Sequence, residues 1–222
     1  VSANTTAGFS IVSYTGTGSN ATVGHGLGVA PKMILIKRLS AADNWIVYHN
    51  SLGGTKNLYL DATNAEATRS DTFNNTAPTS SVFSLGSATG TNGSGSTYVA
   101  YCFAEKTGYS KFGSYTGNGN ADGTFVYTGF KPAWVMVKRT DASYRWTIST
   151  NKILGYNRII NQIAADSSAA ENTSAGYGEF DFTANGFKCR SAEDGMNVGN
   201  MIYMAFAESP FVNSSGVPNN AR

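Results

Sequence analysis

A four-residue string, Ser13-Tyr14-Thr15-Gly16, returns as Ser114-Tyr115-Thr116-Gly117, an interval of 114 − 13 = 101 residues. The interval persists without a gap at Pro31 and Pro132, Lys37-Arg38 and Lys138-Arg139, Trp45 and Trp146, and Asn50 and Asn151. Later it drifts, as loop insertions make it do. Phe103-Ala104-Glu105 returns as Phe206-Ala207-Glu208, where 206 − 103 = 103. Motifs recurring in the same order at near-constant spacing mark a tandem duplication, and each copy must bury its own core. The division that follows is a linker-like segment 1–8, a first repeat 9–113 with connector 106–113, a second repeat 114–208, and a polar tail 209–222.

Each copy reads as strands separated by turns. Segments 32–37 and 133–138 are apolar on both alternating faces, as are 98–104 and 201–207, so these four are expected at sheet centres. Asn92-Gly93, Asn118-Gly119 and Asn185-Gly186 are expected to supply positive φ for tight turns. Helical periodicity is weak, with single turns expected near 64–69 and 168–172. The fold class is all-β, as two tandem pseudo-repeated antiparallel β-sandwich-like units. After the first Lys-Arg pair, Trp45, Val47 and His49 share one strand face, matched by Trp146, Ile148 and Thr150, which marks it as core. Ile46 and Tyr48 on the other face, opposite polar Thr147 and Ser149, are expected in a contact between repeats or chains.

The chemistry-bearing residues are sparse. Charged residues make up 14%, and the formal net charge of +2 is too small for a nucleic-acid footprint. No stretch approaches the roughly 20 apolar residues of a membrane span, so no membrane insertion is expected. Cys102 and Cys189 sit in apolar runs and read as buried thiols. His25 and His49 stand alone, so no metal and no cofactor are expected. Asp122 and Asp141 lie in loops without the dense carboxylates of a calcium loop. No Gly-x-Ser-x-Gly elbow and no glycine-rich loop leading into a helix is present, and the chain reads as no enzyme. Glu105 and Glu208 end the last strand of each copy. They are expected to form ion pairs with Lys37-Arg38 and Lys138-Arg139 respectively. Trp45, Trp134 and Trp146 read as core. Tyr109, Tyr144, Arg145, Tyr156 and Tyr177 lie beside polar or glycine neighbours and are the candidates for stacking on a ligand such as a sugar.

The repeated Ser-Tyr-Thr-Gly, Ala30-Pro31-Lys32 leading into Lys37-Arg38, Trp45, and above all 98–105 with its closing Phe-Ala-Glu resemble a β-rich domain. That domain occurs in tail-fibre and other virion structural proteins of bacteriophages, especially aquatic ones. The likeness runs from Gly8 onward, and the C-terminal residues look like a native end of such proteins. The missing initiator Met fits a piece of a longer chain. The resemblance implies an extracellular, virion-surface tail-fibre module that assembles as a homo-oligomer, most plausibly a trimer, with other virion proteins. Its expected target is a bacterial surface glycan or receptor. A capsid decoration or head-fibre protein without receptor binding, and a secreted glycan-binding or adhesin module, are the alternatives. No binding residue is carried over by the resemblance.

Overall fold

In both halves of the chain the first long strand pairs with the last, and everything between is laid out beside that pair. The computed structural model describes residues 1–154, 156–174 and 178–209. They divide into two units, one ending at Glu105 and the other beginning at Lys106. The protein is mostly β in antiparallel sheets, and no described helix exceeds four residues.

Unit 1 contains β1 (Ser2–Asn4), β2 (Phe9–Thr15), β3 (Ala21–Gly24), β4 (Met33–Arg38), β5 (Ile46–His49), β6 (Lys56–Tyr59) and β7 (Ala67–Thr68). It continues with α1 (Ser70–Phe73), β8 (Val82–Leu85), α2 (Thr89–Asn92) and β9 (Thr97–Phe103). Seven strands form one sheet in the order β1-β2-β9-β4-β5-β6-β7, and β3 pairs β8 separately. Val12, Ile34, Ile36, Ile46, Tyr48, Tyr98, Ala100 and Cys102 from one sheet face join Phe83 and Leu85 of β8 and Phe73 of α1 in a single core.

Unit 2 contains β10 (Ser110–Asn118), β11 (Phe125–Tyr127), β12 (Pro132–Arg139), β13 (Thr147–Thr150), α3 (Asn151–Leu154) and β14 (Gln162–Ala164). It ends with β15 (Phe180–Thr183), β16 (Gly186–Cys189), α4 (Asp194–Asn197) and β17 (Val198–Ala207). The main sheet runs β10-β17-β12-β13-β14, and β11-β16-β15 forms a second, three-stranded sheet. Val135, Val137, Met201, Tyr203 and Ala205 of the first meet Val126, Phe180, Phe182, Phe187 and Cys189 of the second. Each unit is thus a large sheet capped by a small one, with the four expected central strands where the apolar runs placed them.

The Ser-Tyr-Thr-Gly string has a definite job. The Tyr14 hydroxyl donates to the Thr91 carbonyl at 2.6 Å, and Tyr115 donates to Met196 at 2.5 Å. The next residue in each case is a buried asparagine. Asn92 Oδ1 accepts from Thr17 N at 2.8 Å, and its Nδ2 donates to the carbonyls of Ser19 and Gly86, each at 2.7 Å. Asn197 Nδ2 donates to Asn120 O at 2.8 Å and Ser191 O at 2.9 Å, while its Oδ1 accepts from Asn118 N at 3.3 Å. The glycine of the string lets the chain pass close by. A methyl group at Gly117 would overlap the backbone of Asn197 and Val198, and one at Gly16 would overlap Gly93. A single asparagine therefore pairs with three backbone groups, two on an exposed loop and one, the carbonyl of Gly86 or Ser191, on a buried residue that needs a partner.

Several expectations are corrected. Segment 1–8 is not merely a linker, because β1 pairs β2 with Ala3 opposite Ser10. Residues 110–113, placed in the connector, open β10 and pair with β17. The windows 64–69 and 168–172 are not helical. They hold β7 and an isolated bridge at Asn172, and the helical turns lie elsewhere. Of the three Asn-Gly steps, only Gly119 has positive φ, since Asn92 belongs to α2 and Gly186 opens β16. Ile46 and Tyr48, expected at a contact between repeats or chains, lie on the core side of their own sheet. Both are buried in the core of their own unit, with Tyr48 edge-on to Phe73 at 5.4 Å. Thr147 and Ser149 stand on the same core-facing side, opposite Val137 and Val135, and Ser149 is itself buried, so polar residue type there does not mark an exposed face. Val47 and His49 are buried as well, whereas Trp45 and Trp134 are half-buried and Trp146 is fully buried.

The expected ion pairs fail for a topological reason. β4 and β9 are antiparallel, with Met33 opposite Phe103 and Arg38 opposite Tyr98. Lys37 and Arg38 thus stand at the opposite end of the strand pair from Glu105, about 20 Å away at a strand's rise per residue. β12 and β17 repeat the arrangement, with Arg139 opposite Met201 and Pro132 opposite Ala207. Arg38 instead donates to Ser96 Oγ at 2.9 Å, and Lys37 to the Asp43 carbonyl. Arg139 pairs with Asp141 at 2.7 Å, and Glu208 with Lys131 at 2.7 Å and Lys152 at 3.7 Å.

Replacing Asn92 or Asn197 with Ala is expected to cost about 2 kcal/mol of unfolding free energy, because each change leaves the buried carbonyl of Gly86 or Ser191 without this donor and frees a loop. Tyr14→Phe is expected to cost about 1 kcal/mol. Urea denaturation of the three variants checks both magnitudes and their order.

Candidate ligand-binding surface

The five residues expected to stack on a ligand do not form one site. Tyr109 is half-buried against Phe206, with ring centroids 5.5 Å apart, and its carbonyl accepts from Ala207 N. It is a packing residue at the entry to β10. Tyr144 donates to Asp194 Oδ2 at 2.9 Å, and the Arg139 guanidinium lies 5.0 Å from its ring centroid. Arg139 also holds Asp141, whose other oxygen accepts from Asn200 N at 3.1 Å. Tyr144 is thereby tied into a bridge that fastens the end of β12 to α4, and the Asp194 carboxylate that accepts its proton raises the phenol's pKa. Arg145 is exposed, and Tyr156 is 68% exposed after α3. Tyr177 lies outside the described residues.

The outer face of the three-stranded sheet carries two exposed aromatic rings. β11 alternates, sending Val126 inward to Phe187 and leaving Phe125 46% and Tyr127 65% exposed. Opposite residues on paired strands share a face. Phe125 stands beside Lys188, and Lys188 beside Asp181; Tyr127 stands beside Gly186, and Gly186 beside Thr183. Phe125 leans across its neighbour strand, its Cζ only 3.0 Å from where a side chain at Gly186 would begin. Around the rings lies a compensated set of charges. Lys188 Nζ is 2.6 Å from Asp122 Oδ1, and Arg190 Nε is 3.3 Å from Asp181 Oδ2. The Lys188 ammonium holds the Asp122 carboxyl below its usual range.

The corresponding face of unit 1 is bare. Val23 and Val126 both point inward, Gly26 and Gly129 both take positive φ, and Leu27 and Phe130 are both buried. Each pair is 103 residues apart (126 − 23, 129 − 26, 130 − 27), so the interval of 101 does not hold here. Unit 1 carries two extra residues between Leu27 and Pro31 that restore it. With that register Phe125 and Tyr127 answer to Thr22 and Gly24 on β3. A signal was therefore present in the sequence. The alternation Phe125-Val126-Tyr127, bounded by Thr124 and Thr128, has no aromatic partner in the first copy.

The chain matches, over residues 1–210, the family described as a domain of unknown function, DUF7483. The chain belongs to that family. No curated protein and no solved structure matches it. The DUF7483 match runs through both units. Among the described residues no three His, Cys, Asp or Glu side chains gather to hold a metal, and no helix is long and apolar enough to cross a membrane. His25 is buried, with Nδ1 accepting from Leu27 N at 3.2 Å and Nε2 3.1 Å from the Thr79 carbonyl. That arrangement fixes the tautomer with the proton on Nε2. Cys102 and Cys189 are free and buried, and burial pushes both thiols up to about 12.

Lys138 is fully buried, with Nζ donating to the Arg139 carbonyl at 2.8 Å, and burial lowers its pKa to about 8. Its folded pKa lies below the unfolded value of 10.5, so between pH 8 and 10.5 the unfolded chain binds more protons. The Lys138 contribution to stability therefore rises with pH across that window. Comparing wild type with Lys138→Met isolates it from the thiols, which act in the opposite sense. The stability difference is expected to move toward wild type by about 3 kcal/mol between pH 8 and 10.5. Parallel urea titrations at the two pH values check it, and a constant difference would contradict it.

Proposed function

We propose that this chain is a virion-surface module of a bacteriophage, the distal part of a tail fibre, that contributes to attachment on the host envelope. The observation that carries the reading is the duplication of one Tyr–Gly–Asn clamp beneath loops and outer faces that differ between the copies. A scaffold held constant while its surface diverges is what a display protein needs, since specificity resides in exposed loops and faces on a rigid support. The resemblance of the repeated motifs to tail-fibre and virion structural domains supplies the context. The loops are braced largely by neutral hydrogen bonds, such as those of Asn92 and Asn197, which salt screens far less than ion pairs. That suits a protein working outside cells.

The working form is a homo-oligomer, a trimer, joined to other virion proteins. Its contact surface lies away from Ile46 and Tyr48, which the unit's own core consumes.

Antibodies raised against the purified chain are expected to decorate the tail fibres of the phage that encodes it. The free chain is expected to slow adsorption of that phage to its host. Labelling of the head would instead favour a capsid decoration protein. Failure to label particles at all would reject the virion assignment. Sedimentation mass in solution tests the trimer separately, and a monomer at all concentrations would exclude it.

A further inference from the structure

We infer that the outer face of the β11-β16-β15 sheet is a binding platform for an uncharged hexose polymer, with Phe125 and Tyr127 as its stacking residues. The inference deepens the attachment reading and rests on it for biological context. The geometry is independent of that reading.

The first argument is the comparison between copies. Unit 1 folds around an equivalent inward pair, Val23 opposite Phe83, with Thr22 and Gly24 outward. The fold therefore does not require aromatic rings at these positions. Unit 2 nevertheless presents two partly exposed rings side by side on one strand where unit 1 presents none. Unit 2 also has Lys188 where unit 1 has Ser84, reading outward from the paired Phe187 and Phe83. It adds β15, which brings Asp181 and Thr183 to the same face.

The second argument is shape. Phe125 and Tyr127 are two residues apart on one strand, about 6.7 Å along it. That distance is of the order of the advance per residue in a glycan chain, so two rings lie under neighbouring sugars. Gly186 is required where it stands, because a side chain there would overlap the Val126 carbonyl. Its lack of a side chain lets the Phe125 ring lie down across the neighbouring strand, which holds that ring flat to the sheet. The face is the open side of a sheet, which suits a ligand lying flat along the strand.

The third argument is charge. Lys188 with Asp122, and Arg190 with Asp181, leave the face with two cations and two carboxylates. A polyanion would meet the carboxylates, and a polycation the ammonium and guanidinium groups. Hydroxyl groups both donate and accept, and paired charges offer both partners at once. A second protein is a poorer occupant. Two exposed rings fall far short of the ~800 Å² per partner of a stable interface, and covering this charge set would cost desolvation.

The test uses the intact chain, with calorimetric titration of soluble gluco-, galacto- and manno-oligosaccharides from four to six units. Heparin serves as the polyanionic contrast. Saturable binding to at least one neutral series is expected, with none or weaker binding to heparin. Phe125→Ala/Tyr127→Ala is expected to weaken the neutral ligand by at least about tenfold. Leu39→Ala, which trims another exposed apolar side chain, is expected to leave it unchanged. Melting temperatures monitor folding, and the milder Tyr127→Thr keeps strand propensity if the double variant unfolds. Binding by no neutral series, equal binding by the double variant, or a heparin preference would overturn the proposal. So would a change of oligomeric mass in the double variant, which would make the face a contact between copies. If the double variant still blocks phage adsorption, the platform fails and attachment stands. If the wild-type chain binds oligosaccharide but never marks the virion, attachment fails and the platform stands.

Discussion

Everything in each unit hangs on one carboxamide. Asn92 and Asn197 lie wholly buried, and each ties a loop after the first strand to the turn before the last. The tyrosine of the repeated string anchors the residue just before the asparagine, and the glycine allows the backbones to touch. These three roles are interdependent. A ring without its glycine cannot approach, and an asparagine without the loop would bury unmet hydrogen-bonding groups. Such a set is either complete or costly, which accounts for its appearance entire in both copies.

Around that fixed centre the copies have parted. Unit 1 extends its main sheet to seven strands and keeps a two-stranded cap, whereas unit 2 has five strands and a three-stranded cap. The same strand face is core in one copy through Ile46 and Tyr48 and carries Thr147 and Ser149 in the other. The cap strand exposes Thr22 and Gly24 in one and Phe125 and Tyr127 in the other. Inward positions at the sheet centres repeat because close packing tolerates little change there, and the differences inside the core fall on the strand beyond them. Outward positions are free to differ.

What could be read from the residues follows the same division. The four apolar segments at the sheet centres were legible because burial on both faces writes an unbroken hydrophobic run. The salt bridges were not, because Glu105 and Lys37-Arg38 recur together without being near each other. Strand direction decides that, and composition does not encode it. Asn92-Gly93 has the letters of a tight turn, yet the asparagine is helical and serves as a buried staple. Tyr144 has the polar neighbours of an exposed ring, yet Asp194 and Arg139 claim it. Phe125 and Tyr127 are hard to single out for the converse reason. They look like an ordinary strand, and only the two-residue shift beside Leu27 reveals that their equivalents are Thr22 and Gly24.

Phe9 stands directly opposite Phe103, and Ser110 directly opposite Phe206, so in each unit the first long strand starts, and the last one finishes, at the same end of the main sheet. A body whose two ends leave side by side behaves as a cassette. It can be spliced into a host chain, doubled or deleted by recombination with little disturbance to the sequence on either side. Gene duplication therefore needed no new topology here. Further copies joined in the same way would lengthen such a chain while every one of them closed on itself.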